Sequence, residues 1–392
     1  MQAAVYLKSG QNLEQMCAEA AGIRDRGKGR IISFSPKVFI PLTHLCRDVC
    51  SYCTFREAPQ QAKRIYMTPE EVLEVARAGQ RAGCREALFV LGERPEQRYP
   101  EARNWLRTEG YGSTIEYLGK MCELVLSETE LYPHSNPGTM TRDELEALKE
   151  VNVSMGLMLE NTSDRLAAPG GPHQHAPSKR PAVRLRTLEL AGELQIPFTT
   201  GLLIGIGETR EERIETLVAI KALQDRFGHI QEVILQNFRV KPGTKMEKAS
   251  EPSHLEMLET VALARIILGP GMNIQVPPNL SSQYLDYLDA GINDWGGISP
   301  VTRDYVNPEA SWPQLIQLKQ EMRTRGYELR ARFPVYPEYI LQRSHFLPPS
   351  LLEQLRREAD SQGFFAGEEW YSSWIPEPGK KSNAEQCREA QP

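Results

Sequence analysis

The sequence predicts an α/β fold, a full or partial (β/α) barrel of the TIM type. Short β-branched or apolar runs alternate with amphipathic segments about eight times along the 392 residues, as parallel strands joined by right-handed crossovers require. Helix starts are marked by a hydroxyl residue with glutamate three positions on, the capping-box signature. No Gly-x-Gly-x-x-Gly turn follows the first strand. That weakens the competing doubly wound open sheet, which stays open as an alternative.

Taken in order, residues 1–35 read as an N-terminal helical leader, with a helix from Leu13 to Ile23 and then a glycine- and arginine-rich link. The barrel is expected over 36–345, with strands at Val38–Leu42, Glu86–Leu91, Leu131–Ser135, Asn152–Leu159, Phe198–Ile204, Glu232–Phe238, Met272–Val276 and Trp295–Ser299. Capping boxes are expected at Thr68 with Glu71, Thr141 with Glu144, Thr209 with Glu212 and Ser253 with Glu256. Pro69 falls at a first helical position, where its missing donor costs nothing, and Gly83 closes that helix. Leu166–Pro181, rich in proline and glycine, reads as a long loop. Residues 346–392 form a C-terminal extension whose polar tail from Glu377 is expected to be mobile.

Composition excludes several classes. The net charge of -5 is spread over interspersed acids and bases, which predicts no nucleic-acid surface. No apolar run approaches the roughly 20 residues that span a bilayer, and Met1 to Gly10 lacks the basic and apolar regions of a signal peptide. Seven cysteines in so long a chain fit a reducing, cytoplasmic setting better than a disulfide scaffold.

Three of those cysteines are clustered. Cys46 to Cys53 reads Cys-Arg-Asp-Val-Cys-Ser-Tyr-Cys, a C-x3-C-x2-C spacing that lets three thiolates hold three irons of a cubane 4Fe-4S cluster and leaves the fourth iron open to a ligand. The alternative is structural zinc with His44 as fourth ligand. The triad follows the first strand, at the barrel end where loops carry chemistry. Cys17, Cys84, Cys122 and Cys387 are scattered and read as incidental thiols. A second feature is Gly201-Leu-Leu-Ile-Gly-Ile-Gly-Glu208, a strand ending in glycines that opens backbone groups to a flat ligand. It lacks the lysine of a phosphate loop.

With Tyr52 before the last cysteine, the triad resembles the radical S-adenosylmethionine (SAM) superfamily. The resemblance implies that the open iron binds the amine and carboxylate of SAM, that an electron from the cluster cleaves SAM to methionine and a 5'-deoxyadenosyl radical, and that Tyr52 helps seat the adenine. It implies further SAM contacts at Gly92 and Glu93 for the ammonium, Glu160 for the ribose hydroxyls, Arg184 for the carboxylate, and Gly205 and Gly207 beside the adenine. Four segments are similar to one family within it, the 7,8-didemethyl-8-hydroxy-5-deazariboflavin (FO) synthase subunit 1 (CofG) family. They are Phe-Ile-Pro-Leu-Thr-His-Leu-Cys-Arg-Asp-Val-Cys at 39–50, His-Ser-Asn-Pro-Gly at 134–138, Pro-Phe-Thr-Thr-Gly-Leu-Leu-Ile-Gly-Ile-Gly-Glu at 197–208 and Asp-Trp-Gly-Gly-Ile-Ser-Pro-Val-Thr at 294–302. The likeness covers about residues 36–345. Ser51 stands where the family commonly has glycine, and Lys179-Arg180 where an acidic residue is frequent.

The family likeness implies a lyase of the ammonia-lyase type. It cyclises 5-amino-5-(4-hydroxybenzyl)-6-(D-ribitylimino)-5,6-dihydrouracil to FO with release of ammonia. It also implies FO synthase subunit 2 (CofH) as maker of that adduct, and a reductant protein for the cluster. By position, His134 and Asn136, Gln236 and Asn237, and Asp294 with Ser299 and Thr302 are expected at the barrel mouth. His134, Asn136 and Asp294 are the expected catalytic set, with His134 as acid or base. The rival readings are another radical SAM enzyme, either the partner subunit or one of biotin-synthase type, and a zinc-stabilised module without catalysis.

Overall fold

A computed structural model describes residues 12–366, and its strands close an eight-stranded parallel barrel. In chain order the elements are α1 (Leu13–Lys28), β1 (Ile31–Thr43), α2 (Pro69–Arg81), β2 (Glu86–Leu91), α3 (Pro100–Thr108), α4 (Thr114–Glu128), β3 (Tyr132–Asn136), α5 (Arg142–Lys149), β4 (Ser154–Gly156) and α6 (Pro181–Glu193). They continue with β5 (Phe198–Ile204), α7 (Arg210–Phe227), β6 (Ile230–Asn237), α8 (His254–Leu268), β7 (Ile274–Gln275), β8 (Asp294–Ile298), α9 (Leu315–Thr324), β9 (Glu328–Ala331), α10 (Pro337–Leu341) and α11 (Pro349–Glu358).

β1 is the seam. Lys37 to Thr43 pairs with β2, and Ser33 to Pro36 pairs with β8, so the ring shuts with parallel ladders on both sides. That closure excludes the open doubly wound sheet, whose outer strands would lie far apart. The four capping boxes form where the sequence marks them. Pro69 opens α2, and Gly83 (φ 78°) ends it: the Gly83 and Cys84 amides donate to Gln80 O and Gly79 O, both at 2.9 Å, in a Schellman closure.

Three expectations are corrected. The first strand begins at Ile31, not Val38, because its opening residues pair with β9 outside the ring. A boundary at residue 36 therefore falls inside a strand. The leader is not a separate appendage either: Arg24 of α1 is fully buried, and its guanidinium donates to Leu288 O at 2.6 Å and to the Tyr327 hydroxyl at 2.6 Å. Lastly, β4 is three residues rather than eight. Beyond Gly156 the chain follows β5 through isolated bonds, Leu157 N to Thr199 O, Leu159 N to Thr200 Oγ1 and a bridge at Glu160, whose backbone lies in the left-handed region at φ 66°. The tail from Glu377 and Cys387 lie outside the described residues, as does Met1 to Gly10.

The N-terminal end of the barrel is closed by the segment after β9. Arg332, buried, binds Asp294 at 2.7 Å and Glu232 at 3.0 Å, and the Tyr336 hydroxyl donates to Glu232 at 2.9 Å. Lys37 binds Glu86 at 2.8 Å alongside. Asp294 thus sits at the floor, not the mouth: it is the first residue of a parallel strand, and Arg332 and Ser33 bind its carboxylate there. Among the described residues no helix is long and apolar enough to cross a membrane.

Candidate metal and cofactor site

The loop after β1 carries Cys46, Cys50 and Cys53 as free, half-buried thiols. It is held from three sides. From the β2 end, Glu93 N donates to Cys46 Sγ at 3.2 Å. Gly92 is obligatory there, since a Cβ would lie 1.9 Å from Leu45 O and 2.8 Å from Cys46 Cβ. From the loop after β4, Val49 N donates to His175 O and Ser51 N to Pro172 O, each at 2.9 Å. From the loop after β6, Met246 N donates to Ser51 O at 3.2 Å. Ser51 is thus pinned through both its backbone groups.

Burial pushes the Cys46 and Cys50 thiols up to about 12, so a thiolate here needs a bound cation. Among the described residues no three His, Cys, Asp or Glu side chains are grouped as ligands of one metal ion. The ring of His44 is engaged through Nδ1 with Phe55 O at 2.9 Å. Within the triad, Asp48 is buried with Oδ2 unpartnered, and burial followed by the Glu93 charge raises its pKa. Thiols, cradle and spare polar atoms fit an iron-sulfur group.

The predicted SAM contacts gather around this loop. Glu93 is buried and accepts from Thr139 N at 3.2 Å and from Thr139 Oγ1, while Arg184 lies 3.6 Å from its Oε2. Arg184 is itself buried, with Nε donating to Ser178 O at 3.0 Å and a further bond to Met158 O. It is therefore an internal strut between the β2 and β4 ends. Glu160 is buried at the end of the β4 track and pairs with Lys179. A non-glycine residue in the left-handed region costs on the order of 1–3 kcal/mol and persists where surroundings impose it. Tyr52 bonds His173 Nε2 through its hydroxyl at 3.0 Å. Burial holds His173 down at about 3, so the ring is neutral.

Gly205 (φ 95°) and Gly207 (φ 102°) form the turn after β5. Their surroundings differ from the expectation of open amides: the Glu208 carboxylate accepts from Gly205 N at 2.8 Å and Ile206 N at 2.9 Å, and Arg165 donates to Gly207 O at 2.7 Å. The glycine-rich end is thus largely self-satisfied. Gly201, mid-strand, is required by packing, since a Cβ would lie 2.1 Å from Ile234 O.

Of the expected substrate residues, Asn136 ends β3 half-buried, with His134 one step deeper. Ser154 Oγ donates to Pro334 O at 2.7 Å, so the His134 Nδ1 proton goes to Ser154 Oγ, 2.6 Å away. Burial drops His134 to about 4, leaving Nε2 bare toward the Asn136 amide at 3.2 Å, whose nitrogen must then face it. Gln236 and Asn237 end β6, and the Asn237 amide nitrogen donates to Leu280 O at 3.2 Å. Ser299 and Thr302 bind each other at 2.8 Å and cap their own loop, with Thr302 Oγ1 accepting from Phe39 N at 3.0 Å. Sequence reading missed His173, Asp48 and the Glu160 partnership of Lys179; the long loop after β4 was the signal, but which side chains it lends to the triad depends on how it folds back.

The Radical SAM superfamily model matches residues 40–220. The chain is 52% identical over 335 residues to the 7,8-didemethyl-8-hydroxy-5-deazariboflavin synthase of Methanopyrus kandleri, covering 85% of this chain and 99% of that protein. It is 48% identical over 371 residues to the FO synthase of Streptomyces avermitilis, and 49% over 357 residues to that of Mycobacterium tuberculosis strain H37Rv. Those matches cover 92% and 87% of this chain but only 43% and 42% of the relatives, so it spans less than half the length of these FO synthases. Among solved structures, the FeFe-hydrogenase maturase HydG from Carboxydothermus hydrogenoformans superposes with TM-score 0.67 at 21% identity, over 90% of this chain and 83% of the other. Methylornithine synthase (PylB) does so with TM-score 0.64 at 18% identity, over 84% and 92%. These two share the fold.

Proposed function

Because the chain belongs to the 7,8-didemethyl-8-hydroxy-5-deazariboflavin (FO) synthase family of the radical SAM superfamily, we propose that it catalyses the ring closure that completes FO. The substrate is 5-amino-5-(4-hydroxybenzyl)-6-(D-ribitylimino)-5,6-dihydrouracil. Ammonia is released, and SAM yields methionine and 5'-deoxyadenosine, which makes the enzyme a lyase. The observation that carries this reading is the placement of three free thiols on one loop at the C-terminal end of the barrel, braced by the loops after β2, β4 and β6.

In this proposal Cys46, Cys50 and Cys53 would hold a 4Fe-4S cluster beside which SAM would bind. When bound, that pair supplies a one-electron cleavage of SAM to methionine and a 5'-deoxyadenosyl radical. The protein's task is to place and to exclude. Gly92 lets the peptide approach the cluster loop, and Glu93 and Arg184 brace each other for the ammonium and carboxylate of SAM. Glu160 faces the ribose hydroxyls with its second oxygen, since Lys179 engages the first. Tyr52, fixed by His173, gives the adenine a rigid face, with Gly205 and Gly207 alongside. Asn136, aimed by His134, presents its carbonyl to the uracil edge or ribityl chain. His134 then acts by orientation, and Asp294 belongs to the floor. Fixing the reacting carbon and keeping out water and rival hydrogen donors is what such a closed mouth contributes.

The family likeness further supports a supply of the adduct by the FO synthase subunit 2 (CofH) activity and of the electron by a reductant protein. Anaerobic reconstitution followed by incubation with the adduct, SAM and reductant should give fluorescent FO together with 5'-deoxyadenosine. A cluster-loaded sample that cleaves SAM but makes no FO overturns the substrate assignment; one that leaves SAM intact overturns the enzyme class.

A further inference from the structure

Lys179 and Glu160 form an ion pair in the protein interior, with side-chain exposures of 15% and 8%. Neither end is placed by its own element alone. Lys179 ends a short 3-10 turn, Pro177–Lys179, which is fastened to the triad loop: Ser178 N donates to Asp48 Oδ1 at 3.4 Å, and Arg47 donates to Ser178 Oγ. A few residues earlier, His175 and Pro172 carry the bonds to Val49 and Ser51. The turn bearing Lys179 therefore runs alongside residues 47–51. Glu160 is fixed from the other side, by its left-handed backbone and its bridge to Leu202.

The pair consequently lies beside the triad loop, its ammonium carried on the turn that Ser178 ties to Arg47 and Asp48. A fixed dipole beside a redox group in a poorly solvated site shifts the free energy of adding an electron, because the reduced form carries one more negative charge.

We propose that the Lys179–Glu160 pair sets the reduction potential of the cluster held by Cys46, Cys50 and Cys53, with Lys179 favouring the reduced state and Glu160 opposing it. This rests on the cluster assignment above. The step it governs is one electron passing from an external reductant to the cluster, the reductant being oxidised by one electron, with no bond of the pair made or broken. Lys179 is a positioning and electrostatic residue that need not touch substrate.

The test is a dithionite titration of the anaerobically reconstituted protein without SAM, followed by electron paramagnetic resonance of the reduced cluster. Lys179→Met leaves Glu160 uncompensated and should shift the one-electron equilibrium about tenfold toward the oxidised form, about 59 mV to more negative potential at n = 1. Glu160→Gln should shift it in the opposite direction. The double variant should return to within about threefold of the parent, a cancellation that a purely structural role does not produce. Lys179→Gln, which keeps a hydrogen-bond donor for Glu160 but no charge, should behave as Lys179→Met and serves if the methionine variant loads poorly. Potentials unchanged in every loaded variant, or a double variant shifted as far as Lys179→Met alone, overturn the proposal. A wild-type protein that takes up no iron and sulfide overturns the cluster assignment itself, a result recognisable before any potential is measured.

Discussion

At the N-terminal end of the barrel, Arg332 is bonded to both Glu232 and Asp294, Tyr336 completes Glu232, and Lys37 answers Glu86. At the C-terminal end, three thiols are free, Asp48 Oδ2, Asn161 Nδ2 and Asn237 Oδ1 are buried without partners, and Glu160 is held in a backbone conformation that disfavours it. The contrast shows how one barrel divides labour. A buried charge whose partners are all supplied by the chain holds the fold together, whereas a buried polar atom left unpaired carries a cost that a ligand or a water removes; the N-terminal end has such atoms too, on the His229 ring and at Trp295 Nε1.

The contrast can be broken first at the mouth. Replacing Cys46, Cys50 or Cys53 with alanine should abolish cluster loading and reduce SAM cleavage to background, measured as bound iron and sulfide and as 5'-deoxyadenosine, while the apoprotein melts within a few degrees of the parent. A variant that keeps a full complement of iron removes that thiol from the ligand set. At the floor the expected effect is on stability. Arg332→Met leaves Glu232 and Asp294 buried and unpaired, and should cost about 3–5 kcal/mol in urea unfolding. A loss below about 1 kcal/mol would mean the floor charges find solvent instead.

A third effect is pH-dependent. Burial pushes His134 and His229 down to about 4, against about 6.5 in the unfolded chain. Between those values the unfolded chain binds more protons, so stability is complete above about pH 6.5 and falls as the pH drops toward 4. The loss should be on the order of 3 kcal/mol per histidine across that window, and His229→Phe should flatten the dependence of the urea midpoint on pH. A midpoint independent of pH there would mean both rings are solvated. The smallest effect returns to the mouth: Tyr52→Phe removes the bond to His173 and should cost about 1 kcal/mol, with cluster content unchanged and SAM bound more weakly in an equilibrium titration. Unaltered SAM affinity would detach Tyr52 from the cofactor.

Much of the barrel was legible because its signals are local. The hydroxyl-x-x-glutamate boxes at Thr68, Thr141, Thr209 and Ser253 form as read, since each needs only one turn of helix. Strand extents were less legible where pairing is non-local. The opening of β1 is polar in part and becomes strand through β9, a partner roughly 300 residues away. β4 is short, and beyond it the chain rejoins β5 only at the Glu160 bridge to Leu202, a contact set by tertiary packing. Among the candidate site residues, Cys46, Cys50 and Cys53 fall together on one loop, as their close spacing in sequence requires. Asp294 could not be placed in this way, because its position relative to the strand start decides which end of the barrel it serves.

The sequence by itself determined the alternation of strand and helix, the caps, the thiol triad and, through four matched segments, the family. All of these are properties of contiguous residues, fixed by short-range geometry and chemistry. Only the tertiary structure decided that the ring closes through β1, that Arg332 seals the floor with Asp294, and that the loop after β4 folds back to set His173 and Lys179 beside the thiols. Those depend on groups brought together across long stretches of chain, where burial and charge are settled by which surfaces meet rather than by the residues' own preferences.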